Sequence, residues 1–306
     1  MTLTPEFLEL APQVRNWGRW GDDDEIGTIN LITPEVRRRA AASVRSGRAF
    51  SLAMPLDEVD GIQVGVIPDR NNPVHRMTMV NGALDEADAD AFTSDDAVDL
   101  SMQAATHWDG LGHVSYGGHL YNGYPADSID DAGAGRCGIH RISSLTSRGV
   151  LLDVARVKGL DVLEAGYPIT AADLDGAQEL AGVAVEPGDV VLVRTGQAGL
   201  LPDKWAYTLG GAGLTLETAR WFHARDVAAV ATDSLIFEVY PFEGDMTLPV
   251  HLLHLVEMGM TQGQNWVLDE LAADCADDGQ YDFLLEASPL PFVRAVGSPV
   301  NPVAVK

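Results

Sequence analysis

Basic residues and cysteines are both scarce in this chain of 306 residues, and each scarcity excludes something. Twenty Lys and Arg stand against 45 Asp and Glu, which leaves a formal charge of −25 with histidines neutral. A surface this negative repels phosphate backbones and anionic membrane leaflets, so neither nucleic acid nor membrane is an expected partner. Two cysteines, Cys137 and Cys275, make neither a disulfide framework nor a Cys-based metal site. No stretch approaches ~20 consecutive apolar residues. The first twenty residues carry acids and a Pro where a secretory signal needs a basic start and an apolar run. Internal repeats and low-complexity linkers are also missing. The expectation is a cytoplasmic protein whose partner is a small molecule or another protein.

What is present suffices for a packed core, because 46% of the residues are hydrophobic and only 21% are charged. Thr33-Pro34-Glu35 predicts a helix to about Ser46, ended by Gly47; Thr170 predicts another to about Leu180; Thr215 with Glu217 predicts a third to about Arg225. Between the helices, the runs 150–154, 190–193 and 227–230 read as buried strands. The first half reads as strand-rich and loop-rich, with short strands expected at 51–56, 77–80 and 100–102. The stretch from Asp85 to Asp99 holds seven acids and no base and reads as a solvated loop. One α/β (α+β) domain over residues 1–306 is the simplest account, with a segment of about 1–48 that packs on the active site or on a neighbouring subunit.

Three of the eight histidines fall between positions 107 and 119. His107 and Asp109 are two apart, so on extended backbone both project from one face, as two ligands of one ion must. Gln103 and His113 share that parity, but a straight strand from 103 to 113 would span ~33 Å. The chain must bend, and Gly110 and Gly112 are the positions expected to bend it. Imidazole, carboxylate and amide oxygen form a borderline-to-hard donor set that suits Mn²⁺ or Zn²⁺. The alternative is that both histidines are core or turn residues satisfied by backbone and that Asp109 caps a turn. A second pair, His251 and His254, is spaced i, i+3 on a helix that Gly259 would end, with His254 read as a packing residue.

Thr106-His107-Trp108-Asp109-Gly110-Leu111-Gly112-His113 resembles the signature of the metal-dependent cyclase-like hydrolases, the family of bacterial kynurenine formamidase and isatin hydrolase, whose motif reads H-x-G-T-H-x-D-x-x-x-H. Asn16-Trp17-Gly18-Arg19-Trp20-Gly21 resembles the opening of its longer branch of about 300 residues. Further matches are Gly188 to Gly196, Thr232-Asp233-Ser234, Pro249-Val250-His251 and Gly263-Gln264-Asn265-Trp266. The resemblance implies a swivelling β/β/α fold and a homodimer or homotetramer. It also implies His107 and Asp109 as metal ligands, with His113 as the catalytic or neighbouring histidine. Gln103 falls where the motif has its first histidine, and Ala105 where it has Gly. A distal His and Glu that bind or serve a second metal in the formamidases fall on His251 and Gln264; the missing carboxylate implies one ion rather than two, with substrate contact the alternative role for these two residues.

The implied chemistry is hydrolysis of a small amide, lactam, imide or N-formyl compound by a metal-activated water, with His113 moving the proton. A lactonase, a lyase or cyclase using the same ion, and a non-catalytic binder of small carbonyl ligands are the alternatives. Trp17, Trp20 and Trp108 are candidates for an aromatic pocket wall, with core packing an equal account of each. Arg19 and Arg194 are candidates for binding a substrate carboxylate, against the alternative of internal ion pairs. His119, Tyr121 and Tyr124 are candidates for the pocket mouth, while His75, His140 and His223 receive no functional reading.

Overall fold

A computed structural model describes residues 2–85 and 88–306. Nine strands form one curled sheet, in the spatial order Ala49–Ser51, Val303–Val305, Asp282–Glu286, Thr146–Asp153, Val190–Arg194, Ala229–Thr232, Thr261–Gln264, His107–Asp109 and Gly297–Pro299. The four strands from Thr146–Asp153 to Thr261–Gln264 run parallel, and the rest pair antiparallel at either flank. Three of these carry apolar runs, at 150–152, 190–193 and 229–231, because both faces are covered, whereas Thr261–Gln264 is polar but equally buried. Val150, Leu152, Val191, Val193 and Val230 face one core with Phe222 and Leu174. Leu151, Val190, Leu192, Ala229 and Ala231 face the other with Trp266 and Phe283. The expected α/β architecture of swivelling β/β/α type is the observed one.

The helices follow their caps in two cases of three. Thr33 accepts from Val36 N and opens Pro34–Ala42, which ends before Gly47. Thr170 forms a capping box with Asp173 and opens Ala171–Ala181, which left-handed Gly182 closes. Thr215 caps nothing: its hydroxyl donates to Ile169 O, and the helix runs Thr218–Ala224.

The strand-rich half departs further from expectation. Residues 100–102 form a turn, with Ala104 N donating to Ser101 O, rather than a strand. Where 51–56 was expected, the strand is Ala49–Ser51, followed by an isolated antiparallel bridge from Ala53 to Trp266. From Asp88 to Asp99 the acidic stretch is the second arm of a long hairpin against Val74–Asp85, and residues 86 and 87 lie outside the described residues. Backbone pairing with the Val- and Met-bearing first arm satisfies its amides, and its carboxylates do not prevent a strand whose side chains stay in water.

The N-terminal segment covers the helical turn that follows His251. Asn16 and Trp17 donate to the carbonyls of Met258 and Val256 at 2.9 and 2.7 Å, and Arg15 pairs with buried Glu257. Phe7, Leu10 and Val14 are buried in the same core as Leu252 and Val256. No described helix is long and apolar enough to cross a membrane.

Candidate metal centre

His107 and Asp109 sit on a three-residue strand flanked by Thr261–Gln264 and Gly297–Pro299, with Gln264 directly across from His107. Strand alternation sends both side chains to one face and Trp108 to the other. Both are fully buried. The His107 ring is aimed by its Nδ1–H, which donates to Ala105 O at 2.8 Å, so the Nε2 lone pair points inward. Asn265 braces that carbonyl through a second bond of 3.1 Å, and its own Oδ1 accepts from Tyr207. Asn265 holds a φ of 61°, a left-handed conformation that Asn tolerates.

A turn closed by His113 N donating to Gly110 O brings His113 back over this pair. Neither Gly110 nor Gly112 adopts positive φ. Their role is close approach: a Cβ on Gly110 would meet Val296 O at 3.0 Å, and one on Gly112 would meet Cys137 O at 3.2 Å. Both amides donate to those same neighbouring segments. The bend comes from lateral docking of backbone rather than from unusual dihedrals.

Asp109 is the point of convergence. Its Oδ1 lies 3.5 Å from His107 Nε2 and 3.6 Å from His113 Nε2, and its Oδ2 lies 3.7 Å from His251 Nε2. Burial alone would raise the Asp109 pKa, but the three imidazoles hold its carboxyl well below the usual range. Burial pulls His113 down, and Asp109 only partly opposes it. The His113 side chain is 20% exposed against none for His107 and Asp109, so it is the member of the set that meets solvent. Gln103 Nε2 stands 3.5 Å from the other ring nitrogen of His113.

His251 comes from a short turn, Pro249–His251, that passes into π-helical Leu252–Met258 and ends at left-handed Gly259. A regular α-helix was the expectation; the wider turn places His251 and His254 in different surroundings. His251 reaches Asp109, while His254 is buried against Phe222 and Phe237. Gln264 Nε2 donates to Asp109 Oδ2 at 3.1 Å and approaches His251 Nε2 at 2.9 Å. One amide nitrogen thereby bridges the two groups between which a second cation would have to sit.

Two buried polar atoms lack any hydrogen-bond partner here: His107 Nε2 and Asp109 Oδ1. Leaving such atoms bare costs roughly 1–3 kcal/mol each, so a lone pair and a carboxylate oxygen facing one another call for a shared positive partner. Two donors of one tetrahedral ion, each ~2.1 Å from it, lie ~3.4 Å apart, which matches the 3.5 Å observed. Among the described residues no three His, Cys, Asp or Glu side chains form a complete cation cage. The chemistry and spacing of the donor pair fit one divalent ion.

Other residues singled out in the sequence lie apart. Trp108 is buried against Trp266, with its indole donating to Ala287 O. Trp17 backs the turn after His251, and Trp20 lies under Arg19. Arg194 is held by Asp153 and Asp269, and Arg19 by Asp226. Tyr121 and Tyr124 donate to Asp24 Oδ2 and Asp22 O, fastening the N-terminal segment, and His119 packs against Trp17. A cleft of about 720 Å³ lined by Thr4, Arg220 and Glu243 contains none of the site residues.

Glu238 went unnoticed in the sequence. It is fully buried and accepts from His251 N at 2.9 Å and His251 Nδ1 at 2.6 Å. A lone acid within Leu235-Ile236-Phe237-Glu238-Val239 was the available signal.

A mixed α/β fold with a curled sheet of this kind is that of the cyclase type of protein. The family model described as a putative cyclase matches residues 35–239, and the chain belongs to that family. A crystal structure described as a novel cyclase is 39% identical, with a TM-score of 0.87 over 96% of this chain and 100% of that one. Isatin hydrolase A from Labrenzia aggregata, solved with benzyl benzoate, shares the fold at 19% identity (TM-score 0.60, 87% and 94% of the two chains). A predicted metal-dependent hydrolase from Bacillus stearothermophilus does so at 18% identity (TM-score 0.53, 84% and 97%). The comparison with curated proteins gives no match.

Proposed function

We propose that this chain is a metal-dependent hydrolase that opens a carbon–nitrogen bond other than a peptide bond, in a small amide, lactam, imide or N-formyl compound. The observation that carries the reading is the bare, buried pair His107 Nε2 and Asp109 Oδ1 facing each other at 3.5 Å. The hydrolases among its structural neighbours support it. His107 and Asp109 would hold one Mn²⁺ or Zn²⁺, with the Gln103 amide oxygen as a further donor. Such an ion, when bound, polarises a carbonyl and acidifies water.

The remaining chemistry belongs to the protein. His113 is neutral at pH 7 because its pKa is pushed below 6.5 and, as the exposed member of the cluster, it takes the proton of the attacking water at Nε2. It returns that proton to the departing nitrogen, which would otherwise leave as a strongly basic anion. Gln264 fixes the second carboxylate oxygen of Asp109, which keeps Oδ1 directed at His107. The buried walls keep bulk water from the pair and strengthen its electrostatics.

A second reading, an intramolecular cyclase or lyase using the same residues, is favoured by the description of the family model. Product mass separates the two, since hydrolysis adds one water. The test is a turnover screen over isatin, N-formylkynurenine, cyclic imides and lactones with Mn²⁺ or Zn²⁺ supplied; opening of isatin or an imide, or deformylation, supports the C–N hydrolase, lactone opening alone contradicts it, and turnover without added water supports the cyclase or lyase. We further propose a cytoplasmic homodimer or homotetramer. The hairpin leaves Met77, Met79, Val80, Leu84, Phe92 and Val98 exposed, apolar surface that a second copy would cover.

A further inference from the structure

Cations are the scarce resource of this protein, and Arg15, Arg19 and Arg194 are spoken for by Glu257, Asp226, Asp153 and Asp269. Arg70 differs. Its guanidinium makes no hydrogen bond and no ion pair among the described residues, although the residue is half-buried and acids outnumber bases 45 to 20. Its charge acts on the site: Asp109 interacts with it favourably, and it opposes protonation of both His113 and His251. Burial pulls the pKa of Arg70 itself downward, the sign of a cation held partly out of water without a resident counterion.

The loop that carries Arg70 is fixed rather than loose. Ile67 packs against the cluster of Met54, Ile62, Ala105 and Tyr207. Gln63 Nε2 donates to Ala104 O at 2.7 Å, and Asn71 N donates to Ser101 Oγ at 3.2 Å. The loop is therefore pinned to residues 101–105, the segment that leads into His107. Asp109 cannot serve as the full partner of Arg70, since three imidazoles already surround it. A partly desolvated guanidinium on a loop pinned beside the segment that leads into His107, with no protein carboxylate against it, is built to receive an anion from outside.

We infer that Arg70 recognises a carboxylate on the substrate, so that the site takes carbonyl compounds bearing a free carboxylate. The assignment rests on the reading of the His107–Asp109 cluster as the place where that substrate reacts, but its test does not require turnover. Benzoate and benzyl alcohol have similar shape, differ in charge, and contain no bond that hydrolysis would cut. Their binding to the purified full chain, measured by calorimetry, should favour benzoate at least ~10-fold in the wild type. Arg70→Met should abolish that preference. Arg70→Lys should restore part of it, because an ammonium supplies charge without the guanidinium fork.

Equal binding of the two probes by the wild type, or an unchanged benzoate preference in Arg70→Met, overturns the inference. Should Arg70→Met fail to fold, the comparison of wild type with Arg70→Lys decides: benzoate binding unchanged by Lys contradicts a bidentate contact. The two readings fail separately. Anion preference that depends on Arg70, with no carbonyl substrate hydrolysed, removes the hydrolase and leaves Arg70; hydrolysis without anion preference does the reverse.

Discussion

Glu238 holds His251 by two bonds, one from the backbone N–H at 2.9 Å and one from the ring Nδ1 at 2.6 Å, with both residues buried. This clamp orients a ring whose far nitrogen faces Asp109 and Gln264. Burial works against both charges. The carboxylate nonetheless draws the His251 pKa up, and His251 draws that of Glu238 down.

Removing the clamp has a pH signature. The Glu238 contribution is present above its ordinary value of 4.5 and is lost as pH falls through its lowered folded value. The His251 contribution is present below 6.5 and is lost as pH rises through its raised folded value. The stability difference between wild type and Glu238→Gln should be largest between these two values and shrink on either side, as read by urea unfolding across pH. Glu238→Ala should cost about 3–5 kcal/mol, because it leaves the ring without its partner.

His254 should make the protein acid-sensitive. Complete burial against Phe222 and Phe237 pushes its pKa down to about 3. The unfolded chain binds a proton near 6.5 that the folded chain refuses, so stability is full above that value and falls as pH drops toward the folded one. Between pH 7 and pH 5 the loss should be about 2 kcal/mol. His254→Gln should remove that part of the slope in denaturant titrations at the two pH values.

Trp108 should behave as a core residue and not as a pocket wall. Its indole N–H donates to Ala287 O at 2.7 Å and its ring packs on Trp266 at 4.9 Å between centroids. Trp108→Phe should lower stability by about 1–3 kcal/mol while leaving KM for any accepted substrate close to wild type. A large KM change with unaltered stability would place the ring at the substrate.

How much of this was legible in the sequence follows from the range of the interactions involved. Three of the four parallel strands and two of the helices were readable because apolar runs and N-cap hydroxyls act within a few residues: Thr170 and Asp173 close their box on each other, whereas polar Thr261–Gln264 carries no such run. His107 and Asp109 were readable because alternation alone puts them on one face. The partnership of Glu238 with His251, the brace from Asn265 to Ala105 and the approach of Arg70 are set by the docking of separate segments, and no local pattern encodes them. The acidic hairpin shows the converse. Its charges suggested a loop, but a strand exposed to water asks only for backbone pairing, which the arm from Val74 supplies.

The exposed apolar surface of that hairpin should mediate self-association. Light scattering of the purified protein is expected to show a dimer or tetramer, and Phe92→Asp should shift it toward monomer. A wild-type monomer would end that expectation.

The central claim is that His107 Nε2 and Asp109 Oδ1 are bare because they share a divalent ion. Metal analysis of untreated wild-type, His107→Ala, Asp109→Ala and His113→Ala proteins tests it most directly. The account predicts close to one equivalent in wild type, loss of most of it in the first two variants, and retention in His113→Ala together with loss of most turnover. Full metal content in both His107→Ala and Asp109→Ala would contradict it.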